Sequence, residues 1–148
     1  MLYVAYGSNL NVEQMKSRCP HAAVACKGQI NDHRLVFKGS KTGSYLTIDK
    51  SVGHMVPVVV WEIDVEDEKN LDVYEGYPTF YRKENIVVET EHGELIEAMV
   101  YIMNGNRIGA PSNAYMKTCA DGYKHFGFSL RYLRDAYDFS AKWDDGAY

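Results

Sequence analysis

The feature that most constrains this chain is the stretch Leu2-Tyr3-Val4-Ala5-Tyr6-Gly7-Ser8-Asn9-Leu10-Asn11. From Leu2 to Tyr6, small and large apolar side chains alternate, which predicts a strand. Gly7-Ser8-Asn9 breaks it. A helix is expected next: Asn11 with Gln14 three residues on makes a capping-box-like start, and Val12, Met15 and the Arg18-Cys19 end share one helical face. A strand, a tight polar turn and a helix start leave free backbone N–H groups at the positive end of a helix dipole. Such a bend suits a carboxylate or a phosphate. An ordinary strand-to-helix turn has the same spelling, because short glycine motifs recur by chance.

A chain of 148 residues is expected to fold as one domain, residues 1–148, with a core that needs no disulfide staples. With 46% hydrophobic and 24% charged residues it reads as an ordinary soluble globule. A formal net charge of −4 argues against a nucleic-acid partner, since affinity for a phosphate backbone comes from clustered Lys and Arg. No apolar run reaches the length of a membrane span, and the start lacks a signal peptide's layout, so no membrane partner is expected. Cys19, Cys26 and Cys119 are an odd set without metal-like pairing, expected as reduced, buried thiols of a cytoplasmic protein. The histidines are scattered, and no structural or catalytic metal is expected. Twelve tyrosines are many for this length, and some must line a surface or cleft where their hydroxyls find partners.

Along the chain, Ala22–Ile30 and Leu35–Phe37 predict short strands around an Asn31-Asp32-His33 turn. Lys38–Gly43 is a polar loop, Tyr45–Ile48 a brief strand, and Ser51-Val52-Gly53-His54 a further turn. Val56–Ile63 is a nearly continuous β-branched run and predicts a strand buried on both faces. Pro57 marks an edge or bulge near its start. Asp64 opens a helical period through Tyr74, with acids at its front and Gly76 as its stop. Pro78 is expected to keep Thr79–Tyr81 extended. Asn85–Glu89 and Glu94–Met103 predict a hairpin around Glu91-His92-Gly93. After the Gly-rich connection Asn104–Pro111, helices are expected over Ser112–Phe126 and Ser129–Tyr137, split at Gly127. Strands in the middle with helices early, central and late give an α+β class.

The second informative stretch is Leu71-Asp72-Val73-Tyr74-Glu75-Gly76-Tyr77-Pro78-Thr79-Phe80-Tyr81-Arg82. Glu75 falls in the last turn of a helix, where the dipole disfavours negative charge, among Tyr74, Tyr77, Phe80 and Tyr81. A carboxyl in such a corner has its pKa pushed up, which suits a general acid or base. A solvated Glu beside a C-cap glycine has the same spelling. Arg82 is expected to pair with an acid such as Glu84 rather than a substrate. Ser8 lacks the flanking glycines of a nucleophile elbow, and phosphate-loop and dinucleotide glycine patterns are absent from the sequence.

Taken together, Tyr6-Gly7-Ser8-Asn9-Leu10, Leu71-Asp72-x-x-Glu75-Gly76 and Tyr81-Arg82 resemble the γ-glutamylcyclotransferase family. Thr47-Ile48, Val58-Val59-Val60-Trp61, Ala98-x-Val100-Tyr101, Ser112-Asn113-Ala114-Tyr115 and Gly122-Tyr123 fit that pattern, which runs from Leu2 to Leu133. Leu46 and Pro57 depart from it, at places that bear on the shape of the cavity. The resemblance implies a mixed β-barrel-like sheet flanked by a few helices. It implies Glu75 as the acid/base residue, Tyr3, Val4, Ala5, Tyr6, Gly7, Ser8 and Asn9 as the substrate-holding segment, and Tyr115 as the residue closing the pocket. The implied reaction turns a small γ-glutamyl amide into 5-oxoproline and an amine, without cofactor, in a monomer or homodimer. Because the substrate's own α-amine attacks its γ-carbonyl, no protein nucleophile is needed. The alternative is a non-catalytic protein on the same scaffold, holding a γ-glutamyl or carboxylate ligand for a partner.

Overall fold

The computed structural model describes residues 1–39 and 43–142. Ser40, Lys41 and Thr42 of the expected polar loop lie outside the described residues, as does the C-terminal stretch 143–148. In chain order the elements are β1 (Leu2–Ala5), a 3-10 turn (Ser8–Leu10), α1 (Val12–Arg18), β2 (Ala23–Lys38) and β3 (Tyr45–Glu62). They continue with α2 (Val65–Glu75), β4 (Tyr81–Thr90), β5 (Leu95–Met103), α3 (Asn113–His125) and α4 (Arg131–Ala141). This is the expected α+β fold. The strands close a barrel in the order β1-β3-β2-β4-β5. Every pairing is antiparallel except the closing one, where β1 meets β5 in parallel at Tyr3 and Met99.

Val58, Val59, Val60 and Trp61 of β3 are all buried, so this run has core on both faces as its composition requires. The β1 ladder along β3 ends at the Ala5–Val59 pair, short of Pro57. That leaves the proline where the missing N–H breaks no bond to β1. Leu10 from the turn, Met15, Leu71 and Tyr123 from the helices, Phe37 from β2 and Leu46 from the start of β3 fill the same core.

Two expectations fail at one place. The four short strands between Ala22 and Ile63 are two long ones, β2 and β3, bent together. Asn31 pairs with Met55 and His33 with Lys50, so Ser51–His54 stand opposite Asp32 alone. Asp32 takes a φ of 56° and Gly53 one of 87°, and the Gly53 N–H donates to Asp32 Oδ1 at 3.0 Å. The polar residues that spell turns are a bulge, and the ladder resumes beyond it. A third expectation also fails, because the chain does not extend after Pro78. Gly76–Thr79 stay in turns, the Phe80 N–H closes on Gly76 O at 2.8 Å, and Asn104 Nδ2 donates to Pro78 O and Thr79 O. Extended structure begins only at Tyr81.

Helix ends follow their sequence signals. Asn11 Oδ1 accepts from the Gln14 N–H, while the Gln14 side chain turns to Arg18 rather than completing a capping box. Asp64 and Asp67 form a full box at α2, and Gly76 ends that helix in the left-handed region at φ 63°. Ser112 caps α3 through the Tyr115 N–H. Among the described residues no helix is long and apolar enough to cross a membrane.

Candidate active site

The bend after β1 is shaped by what surrounds it. Leu10 and Asn11 N–H groups close the 3-10 turn on Gly7 O and Ser8 O, at 3.1 and 2.9 Å. The N–H groups of Ser8 and Asn9 make no such closure among the described residues. These donors belong to the 3-10 turn, since the start of α1 is already capped by Asn11. α3 presses on the turn from behind. A Cβ on Gly122 would lie 2.5 Å from the Leu10 carbonyl carbon, so only glycine allows this approach. Tyr123 Oη donates to Tyr6 O at 2.8 Å across the same contact. In front, a Cβ on Gly7 would meet Tyr115 Oη at 3.2 Å and Leu46 Cδ1 at 3.4 Å. The glycine thus lets the Tyr115 hydroxyl lie against the bend.

A cavity of about 360 Å³ opens there. Its lining includes Tyr3, Val4, Tyr6, Gly7, Ser8, Asn9, Glu75 and Tyr115. Thus seven of the residues singled out for substrate binding, together with the candidate acid, share one space. Ala5 does not line it, and lies buried in β1 opposite Val59. Leu46 lines it too, and both its backbone groups are engaged: its N–H donates to Tyr115 Oη at 3.1 Å and its carbonyl accepts from Tyr81 Oη at 2.8 Å.

Glu75 is half-buried at the C-terminal turn of α2, and no group among the described residues donates a hydrogen bond to its carboxyl. Burial pushes its pKa from the ordinary 4.5 up to about 7, and the Arg18 charge pulls the other way. Arg18 comes from the last turn of α1. It donates to Asn9 Oδ1 and Gln14 Oε1, and its guanidinium lies 3.4 Å from the centre of the Tyr74 ring. Tyr74 Oη in turn is 3.1 Å from Ser8 Oγ. Arg18 was visible in the sequence only as a helix end, because its partner Tyr74 is on another element.

The remaining lining is phenolic. Tyr3 Oη accepts from Asn9 Nδ2 at 2.8 Å, and Tyr6 Oη donates to Tyr101 O at 2.7 Å. Burial raises the pKa of Tyr3, Tyr6, Tyr81 and Tyr115, with the nearby Glu75 charge adding to it at Tyr3, Tyr6 and Tyr81. These hydroxyls stay protonated at neutral pH and act as neutral partners.

Elsewhere, Arg82 Nε pairs with Glu84 at 2.6 Å, as its spacing predicts. Burial pushes the thiols of Cys19 and Cys119 up to about 12, which makes them poor nucleophiles. Cys26 is only half-buried. His21, Asp64 and Asp67 each bring one potential ligand atom within 4.8 Å of the others, a grouping that sequence spacing did not show. Both carboxylates serve the cap of α2 there, and His21 Nδ1 lies 2.9 Å from Asp64.

Residues 3–119 match the family model for Gamma-glutamyl cyclotransferase, AIG2-like. The chain is 35% identical over 139 residues to the Gamma-glutamylcyclotransferase of Homo sapiens, a match covering 88% of this chain and 74% of that one. The Gamma-glutamylcyclotransferase of Bos taurus is 34% identical over 141 residues, covering 90% and 75%. A solved Gamma-glutamyl cyclotransferase structure superposes with a TM-score of 0.83 at 32% identity, over 92% of this chain and 85% of its own. The chain belongs to the γ-glutamylcyclotransferase, AIG2-like family and is an enzyme of that type.

Proposed function

We propose that the protein cyclises the γ-glutamyl group of a small γ-glutamyl amide to 5-oxoproline and releases the amine, with Glu75 as general base and then general acid. The observation that carries this reading is a half-buried carboxyl, pushed up to about 7, in the same cavity as the Gly7-Ser8-Asn9 bend. Glu75 takes a proton from the substrate's α-ammonium, and the freed amine attacks the γ-carbonyl carbon, forming a C–N bond and a tetrahedral oxyanion. Glu75 gives that proton to the amide nitrogen, and collapse of the intermediate breaks the original amide bond. The ring nitrogen sheds its extra proton to Glu75, which passes it to the departing amine. Atoms balance without water.

Physical chemistry favours the assignment. With an α-amino pKa of about 7.8, a Glu at about 4.3 would face an uphill transfer of roughly 3.5 units, about 5 kcal/mol. A carboxyl near 7 reduces the gap to roughly one unit. The N–H groups of Ser8 and Asn9 serve the α-carboxylate or the oxyanion, and the neutral phenols of Tyr3 and Tyr6 line the floor beside them. Every group named here comes from one chain, so a monomer or homodimer can carry the reaction. Free cysteines fit a reducing compartment such as the cytoplasm.

Incubation with γ-glutamyl amino acids and γ-glutamyl amines should yield 5-oxoproline, and Glu75→Gln should reduce kcat by about 10²-fold or more. Equal turnover by Glu75→Gln would overturn the role given to the acid. Tight calorimetric binding of glutamate-like ligands without any 5-oxoproline would favour the binding-protein alternative.

A further inference from the structure

Resting on the γ-glutamyl reading, we propose that the outer part of this cavity is a subsite for the departing amine that takes an aromatic side chain, with Tyr45 and Phe80 as its specificity-determining residues. The cavity is graded by depth. Tyr3, Ser8 and Asn9 at its floor are 3, 7 and 3% exposed, whereas Tyr45, Tyr74 and Phe80 in the same lining are 42, 41 and 40% exposed. The compact, charged glutamyl head finds its polar partners on the floor. The amine, which must leave towards solvent, meets the rings at the mouth.

Those rings form a fixed surface. Tyr45 stands edge-on to Tyr115 at 5.1 Å and 87°, and to Phe80 at 6.1 Å and 88°. Phe80 continues to Tyr81 at 5.2 Å and 72°. Each edge-to-face contact sets the orientation of its neighbour, so a ligand ring meets a preformed aromatic wall. The turn that carries Glu75 also carries Phe80. The Phe80 N–H closes on Gly76 O, and a Cβ on Gly76 would lie 3.1 Å from Phe80 Cβ. The reacting group and the ring are thereby held in register. Val73, 84% exposed and also in the lining, extends the apolar rim. The described residues leave this surface uncovered beside the cavity, where a leaving group has to pass.

The test compares kcat/KM for γ-glutamyl-phenethylamine and γ-glutamyl-ethylamine, read as 5-oxoproline, in the parent, Tyr45→Ala and Phe80→Ala. The parent should favour the phenethyl substrate by about tenfold or more, and each variant should bring the ratio towards one. A ratio within one preparation is insensitive to the fraction that folds, and Phe80→Leu, which keeps apolar bulk, should give an intermediate value. A parent ratio near one overturns this inference and leaves the cyclotransferase reading standing. An unchanged high ratio in both alanine variants overturns the assignment to Tyr45 and Phe80. Absence of 5-oxoproline from either substrate overturns the parent reading and this inference with it.

Discussion

At Glu75 the proposed chemistry comes with a cost in stability. Its carboxyl ionises near 7 in the fold and near 4.5 in the unfolded chain. Below the lower value both states hold the proton. Between the two values the unfolded chain releases it and the native state keeps it, so stability falls as pH rises and levels off above 7. Glu75→Gln removes that ionisation. Urea unfolding should find the variant as stable as the parent at pH 4 and more stable at pH 8, by about 1–3 kcal/mol after allowance for partial solvent contact. A variant no more stable at pH 8 would show the ionised carboxyl to be well solvated. Glu75 was legible in the sequence because its helix end, its stop at Gly76 and its aromatic neighbours are contiguous. Tyr101, which helps line the cavity, was legible only as a strand residue, since its facing partners lie on other elements.

At the scale of elements, α1, the opening turn and α2 meet through Arg18. Its guanidinium holds Asn9 and Gln14, lies on Tyr74 and draws the Glu75 pKa downward. Arg18→Gln removes the charge, so Glu75 should ionise at higher pH. The acidic limb of kcat/KM should then move upward from about 7, with activity lost more at pH 6.5 than at pH 8.5. Arg18→Lys should keep the limb nearer its place, since it keeps the charge and loses only the planar fork. An equal loss at every pH would make Arg18 a purely structural bolt. Elements whose boundaries carry local signals, such as the α2 cap at Asp64 and the turn at Glu91-His92-Gly93, were readable. β2 and β3 were not, because Asp32 and Gly53 look like chain reversals until each is seen across the ladder from the other.

The whole molecule is a barrel with a narrow seam. β2 meets β4 through two residue pairs, Gly28–Thr90 and Gln29–Glu89, and β1 meets β5 at Tyr3–Met99. Outside the barrel, α3 packs directly behind the bend after β1. Gly122→Ala would place a methyl 2.5 Å from the Leu10 carbonyl carbon and 2.7 Å from Asn11 N, both backbone atoms with little freedom to yield. The expected cost is about 2–4 kcal/mol, with a lowered Tm and a loss of activity at temperatures where the chain is still folded. Retention of both would mean that α3 can shift without moving the bend. The class of fold was legible from the order of patterns along the chain. That the sheet closes on itself came from the family resemblance, because closure depends on contacts between β1 and β5, elements almost a hundred residues apart.

The central claim is that one acid facing the opening bend changes charge near neutrality and moves the proton of the reaction. Selective 13C labelling of glutamate, with the Glu75 resonance assigned by its absence in Glu75→Gln, gives that titration directly. The account predicts a midpoint near 7 that coincides with the acidic limb of kcat/KM. A midpoint near the ordinary 4.5, or one that moves independently of the kinetic limb, would contradict it.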